Sequence, residues 1–99
     1  MSTTIKLSKT IKAHGEEVDE VTLREPATKD LMEIGLPMLI ITGADGQSTG
    51  IEIRQPVIAR YISRLAAIPM GSVESMTIKD FSLCSAAVMG FFGSGDGEA

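Results

Sequence analysis

Apolar and polar residues alternate from Thr4 to Ala13, with Ile5, Leu7, Ile11 and Ala13 on one side and Lys6, Ser8, Thr10 and Lys12 on the other. That period of two predicts a half-buried strand. His14-Gly15 supplies a two-residue turn, with glycine where a positive φ is easiest. Val18, Val21 and Leu23 predict the returning strand, although the step from 18 to 21 breaks the alternation. One extra residue at Asp19 or Glu20 would restore the face, so a β-bulge is predicted there. The same turn sets Lys12 opposite Glu17, a favourable cross-strand pair.

Pro26 cannot donate to a ladder and ends the strand. A short helix follows, with Thr28 as its predicted N-cap, Asp30 at its positive end and Gly35 as its stop. Leu31 and Ile34 share one side of it and are expected to dock on the hairpin. "MLIIT" and "IEIR" then flank the loop "GADGQSTG". A second, looser hairpin is the first choice for residues 38–54, and a helix running on from Leu36 is the alternative. The glycine-rich loop lacks the Gly-Lys-Ser/Thr ending of a phosphate-binding loop and reads as a plain connection.

Gln55-Pro56 opens the clearest helix, with Val57, Ile58, Tyr61, Ile62 and Leu65 in one stripe and Arg60, Ser63 and Arg64 opposite. Pro69 closes it, Ser72 is placed to cap a single turn, and Thr77 with Asp80 forms a capping-box pattern ahead of the last helix. In that helix, "FSLCSAAVMGFF" from Phe81 to Phe92 has only Ser82 and Ser85 as polar residues. A helix apolar all round must be enclosed on most sides. Residues 94–99 predict a flexible acidic tail, leaving 1–93 as a single domain. The expected fold is α+β, an N-terminal β-hairpin packed on a small cluster of C-terminal helices. Its expected core is Leu7, Ile11, Val21, Leu23, Leu31, Tyr61, Ile62, Leu65 and Phe81.

Charge and composition narrow the function. A net charge of −4 and a pI near 4.8 argue against nucleic-acid binding, which needs clustered Lys and Arg. The single cysteine, Cys84, rules out an internal disulfide and fits a reducing cytoplasm. The first residues lack the apolar core of a signal peptide, and no apolar run approaches the roughly 20 residues that span a bilayer. His14 reads as a solvated turn residue, and Cys84 as a small buried hydrophobe. The carboxylates Glu16-Glu17 and Asp19-Glu20 are adjacent on a strand and point to opposite faces, so neither pair converges on a substrate. The expectation is a non-enzymatic protein with no metal and no cofactor.

Two longer patterns carry a resemblance. The first runs through Gly15, Val18, Val21 to Pro26, Thr28 and Asp30; the second through Leu65, Ile68, Pro69, Val73, Met76, Thr77 and Asp80. Together they resemble the small tail assembly chaperones of Mu-like phages and prophages, whose members show "G…V…VTLREPT..D" followed by "L…IP…V..LT..D". The resemblance covers most of residues 14 to 82. This chain departs from the pattern in the added alanine of "EPAT" and in Met76 at the leucine position.

The resemblance implies a protein that binds the long tape measure protein, keeps it soluble, helps tail tube protein polymerise around it, and is absent from the mature virion. It implies action in the host cytoplasm, with neither cofactor nor catalytic residues. For the partner-binding surface, the sequence offers Phe81, Val88, Met89, Phe91 and Phe92 of the last helix. Six methionines add adaptable apolar surface. The plain alternative is that this helix is the domain's own core or a homo-oligomer seam. The alternative function is a small structural tail or baseplate subunit that oligomerises through the helix. In many members of this wider functional class a −1 ribosomal frameshift near the 3′ end yields a longer product. "Met89-Gly90-Phe91" is compatible with a slippery G-GGU-UUY if the Gly90 codon is GGU, so a longer form of the chain itself is a further expected partner.

Overall fold

The computed structural model describes residues 2–47 and 49–98, with the side chains of 40–42, 49 and 93–98 outside the described set. β1 (Ser2–Ala13) and β2 (Glu16–Arg24) form an antiparallel hairpin, followed by α1 (Thr28–Ile34). β3 (Met38–Thr42) and β4 (Thr49–Ile53) form a second antiparallel hairpin, which settles residues 38–54 as strands joined by a loop. Three helices complete the chain: α2 (Gln55–Ala66), α3 (Met70–Glu74) and α4 (Ile78–Glu98). The fold is α+β, as the patterning predicts. The expected tail at 94–99 falls among residues whose side chains lie outside the described set.

The first hairpin closes through His14 and Gly15, both in the left-handed region at φ 57° and 82°. That is the backbone a two-residue turn between twisted strands needs. Lys12 lies opposite Glu17, as the turn dictates. The register then breaks at Asp19, the single β2 residue between Val18 and Glu20, where four β1 residues, Leu7 to Thr10, stand across from it. The irregularity sits at its predicted place on β2. The surplus chain, however, is on β1: residues 7–10 face the single Asp19, and the displaced Ser8 and Lys9 amides turn to Asp80 instead of the ladder, while the odd step from Val18 to Val21 keeps both valines on the inner side.

The inward faces of this hairpin pack on Ile58, Tyr61, Ile62 and Leu65 of α2, and on Cys84 and Val88 of α4. Two expected core residues differ. Leu31 is 36% exposed, and Phe81 is only partly buried against the cluster. The inward position of α1 belongs to Asp30, which is 3% exposed; Leu31, one residue further round the helix, therefore points aside.

Capping also differs from expectation at two places. Ala27, not Thr28, is the N-cap of α1, and its N–H donates to the Asp30 carboxylate at 2.8 Å. Ser72 does not cap a turn: Pro69 stands at the start of α3, and the buried Ser72 hydroxyl donates to the Lys12 carbonyl of β1. Thr77 does cap α4, its hydroxyl accepting from the Asp80 N–H at 3.1 Å.

Helix α4 is enclosed along one stripe and not on most sides. Cys84 and Val88 are fully buried, whereas Ile78 is 85% and Leu83 45% exposed. Among the described side chains its outer face is otherwise made of Lys79, Ser82, Ala86 and Gly90, which leave little apolar surface to cover.

Candidate partner-binding surface

Two buried carboxylates fix the frame on which any surface is presented. Asp30 is gripped by Arg24 through Nη1 at 2.8 Å and Nη2 at 3.1 Å, and by Arg64 of α2 at 3.3 Å. Arg64 also pairs with Glu33 at 2.6 Å. The Arg24 hydrogen bonds, then the Ala27 N–H, hold the Asp30 carboxyl far below the usual carboxylate range. The corner between β2 and α1 is thus an ion-paired clasp that binds strand, short helix and α2 together. Sequence reading assigned Asp30 to the helix dipole alone. Arg24 and Arg64 are six and thirty-four residues away, so spacing carried no signal for either partner.

The second carboxylate is Asp80, fully buried at the start of α4. Its oxygens accept from the Ser8 N–H at 2.9 and 3.0 Å and from the Lys9 N–H at 3.3 Å. Those amides belong to the stretch of β1 that loops out of register, where the ladder leaves them without a partner. The Ser8 backbone hydrogen bond outweighs burial and lowers the Asp80 pKa. The capping-box pattern located Asp80 correctly but gave no hint that its carboxylate reaches a strand seventy residues earlier.

The apolar surface lies elsewhere. Leu36, Met38, Leu39 and Phe92 line a groove where the end of α1, β3 and α4 meet. Met32 (80% exposed) on α1 and Ile51 (65%) and Ile53 (46%) on β4 add exposed apolar side chains on the flanking elements. Of the five α4 residues singled out by sequence, Val88 is fully buried in the core. Phe81, Met89, Phe91 and Phe92 are partly buried against it, and Phe92 meets Tyr61 edge-on with ring centroids 5.1 Å apart. Only Phe92 reaches the groove. Met32, Leu36, Leu39, Ile51 and Ile53 read in the sequence as ordinary strand and helix residues and were not singled out there.

Chemistry on this frame is sparse. Cys84 is buried, and desolvation, followed by the Asp80 charge, pushes its thiol up to about 11, so the thiolate nucleophile is suppressed. His14 is exposed in its turn, with Nε2 2.9 Å from the Ala67 carbonyl. Among the described residues no group of three His, Cys, Asp or Glu could hold a metal ion, and no helix is long and apolar enough to cross a membrane.

Comparison with known proteins gives one family. Residues 4–93 match the family described as phage tail assembly chaperone proteins, E, or 41 or 14. No curated protein and no solved structure matches. With all but the ends of its length covered, the chain belongs to the phage tail assembly chaperone family.

Proposed function

We propose that this chaperone binds the tape measure protein in the host cytoplasm, keeps it soluble and promotes polymerisation of the tail tube around it, without catalysis and without remaining in the virion. The observation that carries the reading is the apolar groove of Leu36, Met38, Leu39 and Phe92, with Met32 of α1 and Ile51 and Ile53 of β4 also exposed. Exposed apolar surface of this kind marks interaction sites, and methionine lets it re-pack against varied segments. Within α4, Phe92 forms one wall and Met89 and Phe91 lie beside it, while Phe81 and the buried Val88 seat the helix.

Co-expression tests the reading. Tape measure protein made alone should be insoluble and be recovered in the soluble fraction with the chaperone. Leu36→Ser with Leu39→Ser should abolish the rescue while the far-ultraviolet circular dichroism stays unchanged. Phe91→Ser with Phe92→Ser should reduce it as well. Normal rescue by both double variants would refute the groove as the client site. A longer frameshifted partner belongs to this reading only if the Gly90 codon is GGU and the −1 frame stays open.

A further inference from the structure

The two strands of the first hairpin differ in what lies along their outer edges. β1 is flanked by α3 and α4. There, the Ser8 and Lys9 amides donate to Asp80, and the Lys12 carbonyl accepts from Ser72. β2 packs on α2 but has no such polar closure of its edge. Among the described residues, 16–24 make no backbone hydrogen bond outside the β1–β2 ladder. An edge of this kind is a template for another strand.

A groove runs along that edge. Val18, Val21 and Thr22 form one wall and Ala66, Ala67 and Ile68 at the end of α2 the other. His14 closes one end through its hydrogen bond to the Ala67 carbonyl. The alanines leave room for an incoming side chain. Glu16 and Glu20 stand on the rim, exposed and without an ion-pair partner among the described residues. A second copy of the chain is a poor occupant, since pairing β2 with β2 sets acid against acid. The matching occupant has the opposite charge.

We propose that the free edge of β2 accepts an extended, basic segment of a partner protein as a third strand. Main-chain hydrogen bonds supply the affinity, lysines or arginines meet Glu16 and Glu20, and a small apolar residue seats over Val18 and Ala66. This edge shares no lining residue with the groove of Leu36, Met38, Leu39 and Phe92, so the two surfaces can be occupied together.

The test is an amide-resolved NMR titration of the full chain with a capped peptide of alternating lysine and valine. Shifts and slowed hydrogen exchange are expected along residues 16–22 below about 1 mM peptide. The same peptide with glutamate for lysine should leave these amides unchanged. Glu16→Lys with Glu20→Lys should weaken binding at least about ten-fold, and because both residues are exposed the fold should be retained. Three results would each overturn the proposal: no shift at about 1 mM, shifts without slowed exchange in 16–22, or equal binding by the charge-reversed variant.

Discussion

The two hairpins begin from similar local patterns and end in different states. β1–β2 presents Ile5, Leu7, Ile11, Val21 and Leu23 to α2 and α4, and all five are buried. β3–β4 pairs chiefly with itself, and Leu39, Ile51 and Ile53 remain 41% to 65% exposed. A lone two-stranded hairpin is marginal in water; the Arg54 N–H to Pro37 carbonyl bond at 2.8 Å only extends its own ladder, so the second is stable as far as Met38 and Leu39 rest against Phe92. What separates the two is remote: Asp80 and Ser72 bind β1 to the helices. One hairpin is scaffold and the other is surface.

The comparison breaks most severely under the first hairpin. Leu65→Ala removes a residue that is 3% exposed beneath β1–β2 and should cost about 2–5 kcal/mol, read from urea unfolding. Asp30→Ala should follow at about 1–2 kcal/mol, because it removes the buried acceptor of Arg24, Arg64 and the Ala27 N–H, while the half-exposed arginines can turn to water. Equality with wild type in either case would mean that the corner and the helix stripe do not hold the scaffold.

Acid should act on the same hairpin. Asp30 and Asp80 both titrate below the ordinary carboxylate value of about 4. Their stabilisation is therefore complete above that pH and lost as pH falls through the lower, folded-state values. Unfolding measured from pH 6 down to pH 3 should weaken at the acid end, and Asp80→Asn should flatten part of that dependence. Its melting temperature at neutral pH should fall less than that of Leu65→Ala. An unchanged acid profile in Asp80→Asn would mean that the Asp80 bonds to the Ser8 and Lys9 amides do not stabilise the fold.

These predictions also mark how far the sequence could be read. The strand–turn–strand of residues 4–24, the α2 stripe and the Thr77 cap are local features, and periodicity or turn chemistry shows them directly. The α1 cap and the burial of Leu31 were misread because Arg24 and Arg64 drew Asp30 inward, and side-chain pairing across the fold leaves no periodic trace. The bulge failed halfway for a similar reason. Its existence follows from the odd step between Val18 and Val21, but its side depends on Asp80 waiting for the Ser8 and Lys9 amides. At the candidate surface the sequence selected α4, whose apolar residues mostly turned inward, and passed over β4, whose did not.

The smallest expected effect on stability sharpens the comparison most. Ile51 is 65% exposed on β4. Ile51→Thr keeps a β-branched residue in the strand, so its unfolding free energy should change by no more than about 0.5 kcal/mol. If β3–β4 is surface and not scaffold, the same substitution should still reduce solubilisation of the tape measure protein, because it puts a hydroxyl into the apolar client face. Ala13→Thr under the first hairpin should show the reverse order, a clear loss of stability from crowding a residue only 6% exposed. Unfolding curves and co-expression solubility, measured on both variants, separate the roles. A large stability loss in Ile51→Thr would make the second hairpin part of the core, and undiminished client solubility would remove β4 from the binding surface.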